Sequence, residues 1–119
     1  MGERFDMSRP IYAQIVERLK AKILAGVYPP GGHLDSVRDM AAAAGVNPNT
    51  MQRALAELEA RGLLETQRTA GRTVTGDVEK IAQTRRALAQ TLVHHFYHQA
   101  AALGLTKAEI AALLEQEEA

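Results

Sequence analysis

Apolar residues recur every four positions near the start of the chain, and this spacing predicts an amphipathic helix. The stripe comprises Ile11, Ile15, Leu19 and Ile23. Pro10 suits the first helical turn, where its missing N–H would have no partner, and Gly26 predicts the end of the helix. Residues 1–9 show no such periodicity, so we expect them to form a flexible arm.

Residues 27–32 interrupt the helical pattern, because two prolines and two glycines remove backbone donors and loosen the chain. They predict a turn that leads into a short strand around His33 and Leu34. Ser36 then has the position of an N-cap, and a short helix follows it until Gly45.

A second helix follows this short one after a tight corner. Asn47 is a strong N-cap and Pro48 stands at the first helical position, so the helix is predicted from Pro48 to about Arg61. Its inner face comprises Met51, Ala54, Leu55 and Leu58. Two helices joined by a glycine-containing corner are typical of a helix-turn-helix, whose second helix lies in the major groove of DNA.

The segment after Gly62 has the pattern of a two-stranded hairpin. Residues 63–67 and 73–75 are compatible with strands, and residues 68–72 between them carry basic side chains at the tip. A hairpin directly after a recognition helix is a wing. The predicted fold is therefore mainly α with a small β wing, a winged helix-turn-helix domain over residues 10–76.

The remaining residues, 77–119, are predicted to form a two-helix tail. A long amphipathic helix is expected from Asp77 to about Leu103, and a capping box from Thr106 to Glu109 begins a last short helix. The small winged domain cannot cover all of the apolar stripe, so we expect the tail to form a homodimer. Packing of the tail against its own domain is the alternative. The expected dimer contacts are Ile81, Leu88, Leu92, Phe96, Leu103, Ile110 and Leu113.

The formal net charge is zero and does not by itself indicate a nucleic-acid partner, whereas the cysteine content excludes several kinds of site. Lys+Arg and Asp+Glu each number 14, and the split is 10 basic to 8 acidic over residues 1–76 and 4 to 6 over residues 77–119. The absence of cysteine excludes a disulfide framework, a thiolate zinc site and a cysteine nucleophile. No apolar run has the length of a membrane span or a signal peptide, so a cytoplasmic location is expected.

These segments together resemble the GntR family of bacterial transcription regulators. The resemblance covers most of residues 10–65 without gaps. It rests on Pro10-Ile11-Tyr12-Ala13-Gln14-Ile15, Ile23-Leu24-Ala25-Gly26, Ser36-Val37-Arg38, Gly45-Val46-Asn47-Pro48-Asn49-Thr50 and Ala54-Leu55-Ala56-Glu57-Leu58-Glu59. The short tail is similar to the YtrA-like subfamily, whose C-terminal helices are understood to form the dimer. We expect a repressor that binds a pseudo-palindromic operator as a homodimer, tuned by a ligand or a partner; whether a small-molecule effector exists, and which, cannot be read from the sequence.

Two departures from the family pattern lie on the side expected to face DNA. Asp35 stands where the family commonly has a proline between leucine and serine, which adds a negative charge. In the wing, Thr69, Ala70 and Gly71 replace the family's two glycines around a basic residue, and Thr73 takes the position of an aromatic residue. Contacts from the wing are therefore less well specified by the sequence than contacts from the helix.

Polar side chains on the outer face of the recognition helix are candidates to contact DNA. Asn or Gln can pair with adenine, Arg with guanine, and Thr can reach a phosphate or a thymine methyl group. The resemblance adds Arg38 from the first helix of the motif and the basic residues of the wing. The candidates are Arg38, Asn47, Asn49, Thr50, Gln52, Arg53, Arg68, Gly71 and Arg72. The alternative is an ordinary solvated face, and for Arg38 a surface ion pair with Asp39 or Glu57.

Three histidines in the long helix leave a second kind of site open. His94 and His98 are spaced so that they face the same way, as metal ligands on a helix do. No carboxylate lies within one turn of them, and with His95 they fit equally well a polar edge of the dimer helix. We therefore predict no metal or cofactor, although a role in sensing pH remains open.

Two other function classes compete with DNA binding. The winged fold can serve as a protein-binding adaptor, in which case binding to DNA would lack strong salt dependence. An enzyme is not expected, because no phosphate loop, carboxylate pair or nucleophile motif is present.

Overall fold

The computed structural model describes residues 3–69 and 71–118. Its helices are α1 (Ile11–Leu24), α2 (Val37–Ala44), α3 (Pro48–Ala60), α4 (Val78–Ala101) and α5 (Lys107–Glu115), and its strands are β1 (Leu64–Gln67) and β2 (Gly71–Val74). The order and type of these elements confirm the predicted fold class. Ala70 of the predicted wing tip, residues 1 and 2 of the predicted arm and Ala119 of the tail lie outside the described residues.

The chain divides into two compact units, of which the first ends at Ala82 and the second begins at Gln83. The division falls within α4, a few residues after the boundary at Gly76 that the sequence suggested. In the first unit, β1 and β2 pair antiparallel, with Leu64 opposite Val74. The short strand expected around His33 is reduced to one isolated bridge between His33 and Thr73.

The core of the first unit is formed by the apolar faces of α1, α2 and α3 and by residues of the hairpin. The inner face predicted for α3 is confirmed, since Ala54, Leu55 and Leu58 are each 0 % exposed. The largest fully buried side chains are Ile23, Leu55, Leu58, Leu63, Leu64 and Val74. Because one face of α3 packs in the core, the opposite face of the helix must point towards solvent.

Local caps produce the corner between α2 and α3. The Ser36 hydroxyl accepts a hydrogen bond from the N–H of Asp39 at 3.1 Å, and Asn47 Oδ1 accepts one from the N–H of Asn49 at 2.7 Å. Gly45 ends α2 with φ 72°, a left-handed conformation that costs residues with a side chain more than glycine. The tight corner predicted from the sequence is therefore present.

The described part of the N-terminal segment, residues 3–9, makes hydrogen bonds to α1 that the sequence pattern did not predict. Gln14 is 3 % exposed. Its Oε1 accepts from the N–H of Asp6 at 2.8 Å, and its Nε2 donates to the carbonyls of Asp6 at 2.6 Å and Arg9 at 3.1 Å. Hydrogen bonds from Ser8 also hold the pKa of the Asp6 carboxyl below its ordinary value. Hydrophobic periodicity missed this anchor because a polar side chain makes it.

The second unit contains the rest of α4 and helix α5. The predicted capping box is present, because Thr106 Oγ1 accepts from the N–H of Glu109 at 3.1 Å and Glu109 Oε1 accepts from the N–H of Thr106 at 2.9 Å. Hydrogen bonding from Thr106 to the carboxylate, first of all from its backbone N–H, lowers the pKa of the Glu109 carboxyl. Within the described ranges, no helix combines the length and the apolar character that crossing a membrane requires.

Candidate nucleic-acid interface

The outer face of α3 carries polar side chains that protein atoms leave accessible. Asn49, Gln52 and Arg53 are exposed and Thr50 is half-buried, whereas Met51 on the opposite face is 2 % exposed. This polar flank lies on the first two turns of the helix, the part that enters a major groove in helix-turn-helix proteins. Its amides match the donors and acceptors of base edges, and its guanidinium can bind either a base or a phosphate.

Asn47 has a structural role at the start of the same helix. Its Oδ1 is committed to the cap of α3 through the N–H of Asn49. A base contact that needs both the oxygen and the nitrogen of the amide would break this cap. Asn47 therefore differs from Asn49 and Gln52, and it fits a contact through Nδ2 to a phosphate.

Arg38 stands exposed in the first turn of α2. It forms no ion pair with any described residue, so neither of the carboxylates proposed as alternative partners holds it. Glu57 instead pairs with Arg61, with Arg61 Nε 3.7 Å from Glu57 Oε2. The positive charge of Arg38 is available to an anion from outside the chain.

The wing places Arg68 in the turn after β1. Arg68 is exposed and has no ion pair within residues 3–69 and 71–118. Gly71 begins β2 with φ 74°, and a Cβ built there would meet nothing within 4 Å. The conformation, rather than space, therefore favours glycine at this position.

Arg72, one of the predicted DNA contacts, is paired with a carboxylate of α3. Its Nε donates to Glu59 Oε1 at 3.1 Å, and the side chain of Arg72 is only 17 % exposed. Thr66 Oγ1 donates to the other carboxylate oxygen of Glu59 at 2.8 Å. Glu59 of α3 thus accepts hydrogen bonds from one residue of each strand of the wing. Hydrophobic periodicity does not predict this contact, because the three residues belong to three different elements.

Replacing Glu59 by glutamine should lower the free energy of unfolding by about 1 to 2 kcal/mol. The change removes the charge opposite Arg72, whose side chain is mostly buried, and a charged hydrogen bond contributes about 1.5 to 3 kcal/mol before discounting for the partial exposure of Glu59. Urea unfolding followed by circular dichroism measures the difference. The matched control is Glu57→Gln in the exposed pair with Arg61, for which we expect a change below about 0.5 kcal/mol. Equal changes in the free energy of unfolding for the two substitutions would show that the contact of Glu59 with the wing does not stabilise the fold.

Arg53 is stacked on an aromatic ring of α1. Its Cζ lies 3.7 Å from the centroid of the Tyr12 ring. The two residues share a shallow concave surface with Asn49 and Thr50 from α3 and with the residues that begin α1. The exposed polar flank of α3 is therefore continuous with the start of α1 on this side.

The apolar positions predicted to form a dimer fall into two groups. Exposed on the second unit are Leu92 at 60 %, Phe96 at 45 %, Leu103 at 81 % and Leu113 at 51 %, and Leu88 is half-buried. By contrast, Ile81 is 8 % exposed and belongs to the first unit, and Ile110 is 4 % exposed. These two isoleucines are core residues within one chain. Helical spacing groups them with the dimer contacts because it does not reveal which part of a stripe the chain itself covers.

The three histidines of α4 are exposed and close to one another. The ring centroids of His94 and His98 are 4.3 Å apart, and those of His94 and His95 are 6.1 Å apart. The part of the chain that the structure describes contains no group of three or more histidine, aspartate or glutamate side chains placed to hold a metal ion.

Two residues of this surface were missed by sequence reasoning. Tyr12 directly follows Ile11 of the apolar stripe, and its spacing indicates no role beyond the helix. Glu59 has the pattern of an ordinary helical surface charge. Each acts through a contact with another element, which periodicity does not report. For Glu59, one available signal was the presence of an arginine in the following hairpin.

Comparison with known proteins gives consistent results. The family model described as "Bacterial regulatory proteins, gntR family" matches residues 11–74. The chain is 36 % identical over 110 residues to the uncharacterized HTH-type transcriptional regulator YhcF of Bacillus subtilis, covering 92 % of this chain and 91 % of that protein. It is 34 % identical over 96 residues to the HTH-type transcriptional repressor YtrA of the same organism, covering 76 % of this chain and 74 % of that one.

Solved structures show the same likeness. A GntR family transcriptional regulator from Listeria monocytogenes superposes with a TM-score of 0.88 at 39 % identity, over 96 % of this chain and 100 % of that one. The DNA-binding domain of AraR in complex with its operator ORR3 superposes with a TM-score of 0.54 at 27 % identity, over 63 % of this chain and 88 % of that one.

Proposed function

The chain belongs to the GntR family of bacterial regulatory proteins, and we propose that it is a repressor that binds a pseudo-palindromic DNA operator as a homodimer. Its first unit is the family's winged helix-turn-helix DNA-binding domain. Its relatives and structural neighbours are transcription regulators and not enzymes. The name of one relative, a transcriptional repressor, supports the direction of regulation proposed for this chain.

The observation that carries the proposal is the polar flank of α3. Asn49, Gln52 and Arg53 are exposed on the first turns of a helix whose opposite face is fully buried, so the flank is both accessible and rigid. Arg38 and Arg68 add two positive charges without an ion pair among the described residues. The likeness to a domain solved with its operator supports DNA as the partner.

Each candidate residue is assigned a part in this proposal. Asn49, Thr50 and Gln52 read base edges in the major groove, while Arg38, Arg53 and the amide nitrogen of Asn47 bind the backbone. In the wing, Arg68 reaches the adjacent phosphates or the minor groove, and Gly71 lets the backbone make the turn. Arg72 holds the wing against Glu59.

Dimerisation is proposed through the exposed apolar stripe of the second unit. Leu92 and Phe96 on successive turns of α4, and Leu103 just after its C-terminal end, would otherwise leave three large apolar side chains in water, which is typical of an interaction surface. A two-fold partner explains the stripe and also doubles the DNA contacts, with two half-sites separated by about one or more helical turns. A small-molecule effector would act by favouring one separation of the two wings over another.

DNA binding is tested by titrating labelled duplexes with the protein at several salt concentrations and following fluorescence anisotropy. We expect a duplex enriched from a random pool to bind with an affinity at least about 1,000-fold higher than that of a scrambled duplex of equal length. The logarithm of the association constant should fall steeply with the logarithm of salt concentration, because bound phosphates release counterions. Equal affinity for both duplexes would refute a sequence-specific regulator.

Replacing Arg38 by alanine should weaken operator binding about 10- to 100-fold, because a hydrogen bond to a charged group contributes about 1.5 to 3 kcal/mol. Titration at a fixed salt concentration measures the change. The control is Arg61→Ala, which removes an arginine already paired with Glu57 at the far end of α3 and should leave the affinity nearly unchanged. Equal affinity of the Arg38→Ala variant and the unaltered protein would remove Arg38 from the interface.

A further inference from the structure

Arg53 differs from the other exposed arginines of the polar surface in having a fixed support. Its guanidinium carbon lies 3.7 Å from the centroid of the Tyr12 ring, while Arg38 and Arg68 have no such contact with a described residue. Tyr12 is half-buried on α1, which itself packs into the core through Ile15 and Val16. The ring is therefore an anchored platform under an otherwise exposed side chain.

The stack restricts Arg53 without using its hydrogen-bond donors. A ring below the guanidinium occupies one face of the plane, whereas the N–H groups point outward in the plane itself. Arg53 forms no ion pair with any described residue, so these donors remain available to an external acceptor. A long side chain that is already held loses less conformational entropy when it binds.

The place of the stack favours one kind of acceptor. Contact with Tyr12 holds the guanidinium beside α1, at the edge of the polar flank of α3. Asn49 and Thr50 line the same concave surface and add further donors beside it. A phosphate at the edge of the groove, with oxygens spaced for two parallel N–H donors, fits this arrangement.

We propose that Tyr12 is a positioning residue, which holds Arg53 ready to bind a DNA backbone phosphate at the α1 side of the recognition helix. The inference rests on the proposed function, since it assigns one residue pair within that DNA interface. Tyr12 contributes through its ring face and not through its hydroxyl group. Phenylalanine should therefore substitute for it in this role, whereas leucine, which is apolar but has no ring, should not.

Binding measurements on Tyr12→Leu, Tyr12→Phe, Arg53→Ala and the double variant Tyr12→Leu/Arg53→Ala test this assignment. Tyr12→Leu should weaken binding to the selected operator about three- to five-fold, while Tyr12→Phe retains the affinity. In the Arg53→Ala background, Tyr12→Leu should cause no further loss. Arg53→Ala should also reduce the slope of the salt dependence by about one without changing the selected base sequence.

A measurement on the free protein separates positioning from stability. In the NMR spectrum the δ-methylene protons of Arg53 should be shifted upfield by the ring, and Tyr12→Leu should abolish this shift while Tyr12→Phe keeps it. Arg53→Lys gives a further check, because lysine keeps the charge but loses the flat stack, so Tyr12→Leu should cost less in that background.

Three results would overturn the inference. Additive losses in the double variant, or equal losses from Tyr12→Phe and Tyr12→Leu, would show that Tyr12 acts only by packing or through its hydroxyl group. A changed base preference at one operator position in Arg53→Ala would show a base contact in place of a phosphate contact. Failure of the unaltered protein to discriminate between duplexes would instead refute the proposed function, while the NMR shift still reports on the stack.

Discussion

Replacing Leu58 by alanine should lower the free energy of unfolding by about 2 to 5 kcal/mol, among the largest effects expected for a single change in this chain. Leu58 is 0 % exposed in α3. Truncation removes buried methyl groups and leaves a cavity that neighbouring side chains fill only in part. Because a domain of this size is stable by only about 5 to 15 kcal/mol, the loss should be visible as a large shift of the urea midpoint.

The control for Leu58→Ala is Val27→Ala. Val27 is 63 % exposed outside the tail, so its truncation should change the free energy of unfolding by less than about 0.5 kcal/mol. Both variants must be compared at one protein concentration, because the stability of a homodimer depends on concentration. Similar midpoints for the two variants would contradict the assignment of α3 to the centre of the core.

Placing aspartate at both Leu92 and Phe96 should convert the proposed dimer into a monomer and weaken binding to a two-half-site operator by about 100-fold or more. Leu92 is 60 % exposed and Phe96 45 % exposed in one chain, so the change should leave the fold of that chain intact. Two charges in an apolar interface would be desolvated without partners. The loss in affinity follows because the second half-site is no longer bound by a linked subunit at high effective concentration.

Analytical ultracentrifugation measures the mass, and anisotropy titration measures the affinity. The control is Thr91→Asp, which adds a negative charge on the neighbouring exposed position of α4, away from the Leu92 and Phe96 stripe. It should keep the dimer mass and most of the affinity. If Leu92→Asp/Phe96→Asp keeps the mass of the unaltered protein, the stripe is not the interface.

The features that the sequence predicted well are those with a local cause. Asn47, Pro48 and Gly45 act on their own backbone or on that of their immediate neighbours, so the corner and the start of α3 follow from residue type. The buried face of α3 follows from the spacing of its leucines. A polar flank opposite that face is then a geometric consequence.

The features that the sequence did not predict are contacts between elements. Glu59 meets the two strands of the wing, and Arg53 meets Tyr12, only after the first unit has folded. Before folding, the charge on Glu59 is indistinguishable from a solvated surface charge. The contacts of the N-terminal segment have the same origin, since they are made to the buried amide of Gln14.

The tail shows a further limit of periodicity. Ile81 and Leu92 belong to one apolar stripe of α4, yet Ile81 is 8 % exposed and Leu92 is 60 % exposed. The spacing identifies a face of the helix, but it does not say whether the same chain or a second copy covers each part of that face. Exposure in the folded unit supplies this distinction, and it narrows the proposed interface to the residues beyond Gln83.

The measurement that most directly tests a paired recognition helix is selection of bound sequences from a pool of random duplexes, followed by sequencing. Two copies of α3, each presenting Asn49 and Gln52, should enrich an inverted repeat whose half-sites lie about one helical turn, or a multiple of it, apart. Enrichment of no sequence at all, or of a single half-site without a symmetric partner, would contradict a dimer that reads DNA through α3.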